Sequence, residues 1–192
     1  MDNRLVDMSD ADALLAEVDR LRSEIARLEE RVQLLDQLAH QDSLIDLPNR
    51  RGFMRQLERL IDRVARYGDS AAMLFVDIDG LKSINDTFGH PAGDEALIQV
   101  AEMLVGGVRK GDCVARLGGD EFGILLDQAD EASARETAAR LVEHVAGSEF
   151  CFEGTCLPLS VAIGVGMIES GDCAEAVMAR ADQAMYAEKA AA

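Results

Sequence analysis

The N-terminal part of the chain carries a heptad pattern of apolar residues. Its apolar positions are separated alternately by four and three residues: Leu14, Val18, Leu21, Ile25, Leu28, Val32, Leu35 and Ala39. Leucine at one core position and β-branched residues at the other favour a parallel two-stranded coiled coil. We therefore predict a dimerising helix over residues 1–41. The alternative, one amphipathic helix lying on its own domain, is less compatible with a sustained period of 3.5 residues.

After residue 41 the apolar pattern becomes that of a compact domain, over residues 42–192. The continuous apolar run from Ala71 to Ile78 predicts a strand covered on both faces. The other predicted elements are helices at 51–66, 81–88, 91–105, 131–145 and 174–189, a hairpin at 113–117 and 122–126, and a second hairpin ending in 159–168. This order predicts an α+β fold with an antiparallel-rich central sheet flanked by helices.

Composition narrows the classes of partner. Nineteen Lys and Arg residues against 36 Asp and Glu give a formal net charge of −17, which opposes binding to a nucleic-acid polymer or an anionic membrane surface. No apolar run approaches a membrane span and the first residues are polar, so we expect a cytoplasmic protein. The negative net charge is still compatible with binding of a small anionic ligand, because a bound metal and a few basic residues make the electrostatic potential positive locally.

The cysteines do not have the short paired spacing of a zinc site. If Glu153 and Gly154 form a two-residue turn, Cys151 and Cys156 face each other across a hairpin and could oxidise. The alternative that we favour is a pair of small, half-buried apolar residues that stay reduced.

Residues 116–122, Arg-Leu-Gly-Gly-Asp-Glu-Phe, connect the strands of the first predicted hairpin. Glycines let a phosphate chain approach the backbone, and the carboxylates that follow can hold a hard divalent cation. Asp77 ends the buried strand, so Asp77 and Asp120 converge if the two strands are neighbours. Mg²⁺ is the expected cation, because it prefers few carboxylates together with water and substrate phosphates.

The segment from Gly118 to Phe122 resembles the signature of the GGDEF family of diguanylate cyclases. Three other segments, at 40–53, 77–94 and 181–189, resemble further family blocks in the same order, so the resemblance covers about 42–189. It implies a fold like that of nucleotide cyclases and polymerase palm domains. It also implies that a homodimer condenses two GTP to cyclic di-GMP and two pyrophosphates.

The resemblance implies which residues surround the metal. Asp77, the Ile78 carbonyl and Asp120 would bind Mg²⁺, for which Mn²⁺ can substitute. Lys82 would contact phosphate and offset developing charge. Glu121 is a candidate metal-site residue or proton acceptor.

The resemblance also implies how the nucleotide is held. Gly118, Gly119 and Lys189 would lie against the phosphates, and Asn85 with Asp94 would read the guanine. A carboxylate can accept from both guanine N1–H and the N2 amino group. From the residues alone, Asn85 and Asp94 are better interpreted as helix caps.

Arg109 and Asp112 have the spacing of the family's inhibitory RxxD site. The resemblance implies that they bind cyclic di-GMP as an inhibitory product, with Arg140 as the second arginine. From the residues alone, a solvated turn is the preferred interpretation.

The chain also departs from the family pattern. Ile45-Asp46 stands where Thr-Gly is usual, Gly80 and Leu81 replace larger residues, and a phosphate-binding arginine that commonly follows the closing lysine is not found in Ala190-Ala191-Ala192. The alternative function is therefore a catalytically degenerate GGDEF domain that binds cyclic di-GMP or GTP as an effector. A third possibility, a coiled-coil scaffold with an inert domain, leaves the carboxylates unexplained.

Overall fold

The computed structural model describes residues 3–191. The chain divides into two compact units, with the division between Ala39 and His40. The elements in chain order are α1(Asn3–His40), α2(Arg50–Tyr67), β1(Ala71–Ile78), α3(Leu81–Phe88), α4(His90–Gly106), β2(Cys113–Gly118), β3(Glu121–Leu126), α5(Glu131–Ala146), β4(Phe150–Phe152), β5(Thr155–Leu157), β6(Val161–Ile168) and α6(Ala174–Ala191).

The first unit is the long helix α1, which the heptad pattern predicts. Arg20 donates to Glu17 at 2.7 Å and lies 3.5 Å from Glu24, and such pairs one turn apart support an isolated helix by a few tenths of a kcal/mol each. The large apolar heptad side chains are exposed in the single chain, from 36% for Val18 to 66% for Leu14. An apolar stripe of this length is unusual for a helix surface that stays in water.

The second unit begins with a capped helix. Asn49 caps α2, because its side-chain oxygen accepts from the backbone N–H groups of Arg51 and Gly52 at 2.9 and 3.0 Å. At the other end, Gly68 adopts a φ of 74° and donates its N–H to the Val64 carbonyl. These two caps explain why α2 begins at Arg50 and ends at Tyr67.

The central sheet has four antiparallel strands in the order β2-β3-β1-β6. Its alternating side chains enter two apolar cores. Leu74, Val76 and Ile78 pack on the side of α3, α4 and α5, whereas Met73 and Phe75 pack on the side of α2 and α6. Burial of each large apolar side chain contributes about 1.5–3 kcal/mol. The predicted α+β fold, with an antiparallel sheet flanked by helices, is confirmed.

The second hairpin differs from its prediction. Strands β4 and β5 form a separate two-stranded sheet, whereas the segment predicted as the end of that hairpin is β6, which pairs with β1 along its full length from Val161 to Ile168. The prediction that residues 159–168 complete the hairpin is therefore wrong. Pro158 explains the break, because it has no N–H to continue the ladder after Leu157.

The β4–β5 turn brings the two cysteines together. Glu153 and Gly154 have positive φ values of 47° and 82°, as expected for a two-residue hairpin turn. Cys151 lies opposite Cys156 with their Cα atoms 4.0 Å apart, and the two sulfurs form a disulfide. Both residues are exposed. The favoured interpretation of reduced, half-buried cysteines is therefore wrong, because the turn places both side chains on one face of the hairpin.

No helix within residues 3–191 has both the length and the apolar character that crossing a bilayer requires.

Candidate functional site

Carboxylates from two neighbouring strands meet at one end of the sheet, where β1 ends and β3 begins. We call this end the sheet edge. Asp77, near the end of β1, lies directly opposite Glu121, the first residue of β3. The Ile78 N–H donates to the Asp120 carbonyl at 3.1 Å, so Asp120 lies beside the end of β1. Asp77 follows Met73 and Phe75 in the period of two residues and therefore faces the α2 and α6 side of the sheet. The structure thus brings Asp77, Ile78, Asp120 and Glu121 together where β1 ends and β3 begins.

The glycines of the β2–β3 connection allow this tight approach. Gly118 has a φ of 157° and Gly119 a φ of 45°, and Gly118 pairs with Glu121 after a shift of register. Side chains other than hydrogen are disfavoured at such φ values. Added Cβ atoms at either glycine would meet no other atom within 4 Å. This part of the hairpin is therefore open for a ligand to approach the backbone.

Arg116 holds the hairpin tip in place and was not predicted as a site residue. Its Nη2 and Nε donate to the Gly119 carbonyl at 2.8 and 3.1 Å, and its Nη1 donates to Asp42 Oδ1 at 3.2 Å. The same Asp42 oxygen accepts from the N–H groups of Leu44 and Ile45. No sequence spacing links Asp42 to Arg116, because the contact spans 74 residues.

Lys189 reaches the carboxylates from α6. Its ammonium donates to Asp77 Oδ1 and lies 3.3 Å from Asp79 Oδ1. Partial burial alone would lower the pKa of Lys189, but the hydrogen bond and the charge of Asp77, together with Asp79, outweigh it and raise the pKa. Lys189 therefore stays charged at the sheet edge.

Close packing against β6 positions the helix that carries Lys189. A Cβ atom at Gly164 would lie only 2.7 Å from the Met185 Cα, and a Cβ at Gly166 would lie 3.1 Å from the Ala181 N. The backbone of α6 thus lies directly on the glycine-containing part of β6. Lys189 is one helical turn beyond Met185, so this contact directs it towards the end of β1.

Glu121 has a perturbed acidity. Burial raises the pKa of Glu121, and the negative charges of Asp120, Asp77 and Asp182 raise it further, while Arg50 opposes them. The carboxyl lines a cavity of about 460 Å³ that Arg50 and Asp182 also border and in which Phe75 is an apolar neighbour. A carboxylate with a raised pKa accepts a proton more readily than an ordinary one. Glu121 is therefore suited to proton transfer beside this cavity once a cation is near.

Ser160 is a further residue that sequence reasoning missed. Its hydroxyl donates to Asp79 Oδ2 at 3.0 Å, and its carbonyl accepts from the Asp79 N–H at 3.0 Å. Asp79 therefore connects β6 to Lys189. A lone serine before a strand carries no signal for this role, since only the pairing of β6 with β1 brings it to Asp79.

The donor set at the sheet edge fits a magnesium ion. No three side chains among the His, Cys, Asp and Glu residues whose side chains are described form a cluster able to hold a metal alone. Mg²⁺ does not need one, because it binds through one or two carboxylates, waters and substrate phosphates. Asp77 and Asp120 with a main-chain carbonyl supply only hard oxygen donors, and Asp77 already attracts the Lys189 cation.

The predicted base-reading residues lie on α3 and α4. Asn85 is half-buried on α3, and Asp94 is exposed in the first turns of α4. The corner between the helices is Gly89, whose φ is 84° and whose N–H donates to the Asn85 carbonyl at 2.9 Å. Lys82 is exposed in the first turn of α3. The two helices thus face each other, and neither Asn85 nor Asp94 is a helix cap.

The predicted inhibitory residues line a separate groove. Arg109, Asp112 and Arg140 border a cavity of about 370 Å³ between the end of α4 and α5. Asp112 Oδ2 accepts from the Arg109 N–H at 2.8 Å, and Asp112 Oδ1 accepts from the Asp127 N–H at 3.2 Å. The Asp112 carboxylate therefore also builds the turn. Arg109 and Arg140 are exposed and make no ion pair with any residue whose side chain is described.

Comparisons of this chain with known proteins all indicate the same family. The family model described as "Diguanylate cyclase, GGDEF domain" matches residues 39–192. The diguanylate cyclase TpbB of Pseudomonas aeruginosa is 38% identical over 182 residues, which are 94% of this chain and 41% of TpbB. The response regulator PleD of Caulobacter vibrioides is 40% identical over 157 residues, which are 80% of this chain and 35% of PleD. The chain spans less than half the length of these curated relatives.

Solved structures agree with this assignment. The coiled coil and GGDEF domain of DgcB from Caulobacter crescentus, in complex with c-di-GMP, has a TM-score of 0.86 at 27% identity and covers 93% of this chain and 95% of that chain. A sensory box/GGDEF family protein from Caulobacter crescentus has a TM-score of 0.74 at 38% identity, covering 80% of this chain and 99% of that one. The fold, the hairpin signature and the family match over residues 39–192 together make this chain a member of the diguanylate cyclase GGDEF family.

Proposed function

We propose that the chain is an active diguanylate cyclase that condenses two GTP to cyclic di-GMP and two pyrophosphates. The observation that carries this proposal is the meeting of Asp77, Glu121 and Lys189 at one sheet edge, although they come from distant segments. A domain that only bound a ligand would not need a carboxyl of raised pKa, Glu121, at the same edge as the Asp77–Lys189 ion pair.

The reaction forms two bonds, each between the 3′ oxygen of one GTP and the α-phosphorus of the other, and it breaks the α–β phosphoanhydride bond of both. Asp77, Asp120 and the Ile78 carbonyl would hold Mg²⁺, or Mn²⁺ in its place, which offsets charge on the phosphates. Lys189 and Lys82 add positive charge near the triphosphate. Glu121 would accept the proton of the attacking hydroxyl.

The base would be read between α3 and α4. A carboxylate at Asp94 can accept from guanine N1–H and N2–H, a pair of donors that adenine does not present. The half-buried Asn85 amide offers both a donor and an acceptor at the facing position. This arrangement favours guanine over adenine nucleotides.

A homodimer would complete the active site, since each domain holds one GTP and the reaction joins two. The exposed heptad stripe of α1 supports a parallel coiled coil. Pairing of these helices would keep two domains at high effective concentration. The solved DgcB relative also contains a coiled coil and a GGDEF domain.

Product would bind in the groove of Arg109, Asp112 and Arg140 and inhibit the enzyme. The exposed guanidinium groups can make bidentate contacts with phosphate or with a guanine edge. Two solved structures of DgcB contain c-di-GMP. The same groove favours the second candidate function, a GGDEF domain that only binds cyclic di-GMP.

One assay separates the two functions. The purified chain is incubated with GTP and Mg²⁺, and the nucleotides are separated by chromatography. We expect cyclic di-GMP and pyrophosphate in a ratio of one to two, with no turnover of ATP. Binding of cyclic di-GMP without any product from GTP would reject the enzyme and leave the effector function.

A further inference from the structure

Gly93, on α4, lies against the side chain of Asn85 on α3. A Cβ atom at Gly93 would lie 2.8 Å from Asn85 Cγ and 3.0 Å from Asn85 Nδ2, and closer still to Asn85 Oδ1. The nearest atoms to that position all belong to one amide group. Real Cβ atoms do not approach other atoms so closely, so any side chain at residue 93 must displace the Asn85 amide.

Gly93 is needed because there is no space for a side chain at this position. Gly93 is buried within α4 and its φ is not in the positive range that favours glycine. Alanine is a better helix former than glycine in a helix interior. Backbone conformation therefore gives no reason for glycine here, and the Asn85 amide does.

The helix corner explains why these two residues meet. Gly89 joins α3 to α4, and Asn85 and Gly93 lie one helical turn on either side of it. The Gly89 N–H donates to the Asn85 carbonyl, and the Ala92 N–H donates to the Gly89 carbonyl at 3.2 Å. The backbone of the corner is thus fixed on both sides, which leaves the Asn85 side chain as the part that must move.

We propose that Gly93 is a positioning residue for guanine recognition, because the absence of its side chain sets the conformation of the Asn85 amide. This inference rests on the proposed function, in which Asn85 reads the base. Asp94, the next residue, carries the other half of the predicted base-reading pair. One glycine therefore sets the spacing between the amide on α3 and the carboxylate on α4.

The test measures nucleotide affinity without turnover. The probe is guanosine 5′-(α,β-methylene)triphosphate with Mg²⁺, titrated by calorimetry into the full chain. Gly93→Ala should raise its Kd roughly three- to tenfold, the effect of one hydrogen bond. Asn85→Ala should raise it similarly, and the double variant should bind no more weakly than Asn85→Ala. Gly106→Ala, at the other end of α4 with no atom within 4 Å of an added Cβ, is the control.

Two further measurements distinguish positioning from general damage. In Gly93→Ala the side-chain NH₂ resonances of Asn85 should shift, while the thermal midpoint of Gly93→Ala stays near that of Gly106→Ala. If Gly93→Ala does not fold, Asn85→Ala in the same chain should restore folding, because it removes the atoms that clash.

Additive losses in the double variant, or parental affinity in Gly93→Ala, would overturn the inference while leaving the proposed function intact. Parental affinity in Asn85→Ala would be a different result. It would remove Asn85 from base recognition and overturn the inference together with that part of the proposed function.

Discussion

Arg116 Nη1 lies 3.2 Å from Asp42 Oδ1, so the segment that opens the GGDEF domain is tied to the hairpin that carries the carboxylates. Both side chains are largely buried, at 15% and 17% exposure. The remaining guanidinium nitrogens donate to the Gly119 carbonyl. One side chain thus fixes the position of the tip from which Asp120 projects.

Arg116→Lys should lower kcat roughly ten- to hundredfold, because lysine keeps the charge but cannot make three directed contacts, and small misplacements of reacting groups are costly. Steady-state rates with GTP and Mg²⁺ measure the effect. Arg135→Lys, an exposed arginine in an ion pair with Glu131 on α5, is the control. Equal rates for both variants would show that the tip does not need Arg116.

Asp120→Asn should abolish metal-dependent product formation, because the amide keeps the size of the side chain but loses the charge that holds Mg²⁺. Product is measured by chromatography over a titration of Mg²⁺, and circular dichroism reports the fold. Asp62→Asn removes one charge at an exposed position on α2 and should leave the rate near that of the parent. Near-normal turnover of Asp120→Asn would show that Asp120 does not bind the metal.

The sequence predicted those features that depend on local pattern. The run from Ala71 to Ile78 predicted the central strand β1, and the glycines before Asp120 predicted the β2–β3 hairpin, whereas the pairing of β6 with β1 was not predicted. The contacts of Asp42 with Arg116 and of Ser160 with Asp79 were not predictable, because they join residues 74 and 81 positions apart. Such contacts follow from strand pairing, which short-range periodicity does not specify. The disulfide needed the turn geometry at Glu153, which the sequence left open.

Glu121 should make the stability of the metal-free protein depend on pH. Burial and the nearby Asp120 and Asp77 raise the pKa of Glu121 above its unfolded value. Its contribution to stability is therefore present below the unfolded pKa and is lost as the pH rises through the raised folded pKa. The free energy of unfolding of the parent relative to Glu121→Gln should fall over that range. Urea titrations of both proteins between about pH 4 and about pH 7 measure it, and a constant difference would contradict the shift.

Leu28→Lys should convert a dimer to a monomer, because it places a charge in the heptad core of α1. Activity per subunit should fall as well and recover partly at high protein concentration. Leu34→Lys is the matched control, since Leu34 has a similar exposure, 55% against 49% for Leu28, but lies off the heptad. Light scattering measures the mass. A dimer that persists in Leu28→Lys would reject the coiled-coil interface.

Arg109→Ala should weaken cyclic di-GMP binding by roughly 1.5–3 kcal/mol, the scale of hydrogen bonds to charged groups, and it should relieve inhibition by added product. The Arg109 side chain borders the groove, whereas the Asp112 carboxylate accepts hydrogen bonds from the backbone N–H groups of Arg109 and Asp127 within the turn. Inhibition of this kind requires that product binds an unproductive arrangement of the two domains more tightly than the productive one. Calorimetry gives the affinity, and the ratio of rates with and without cyclic di-GMP gives the inhibition. Lys110→Ala is the control, because it removes the adjacent exposed charge, and it should change neither the affinity nor the inhibition by more than about twofold. Equal effects of the two variants would show that cyclic di-GMP binds only to a nonspecific cationic surface.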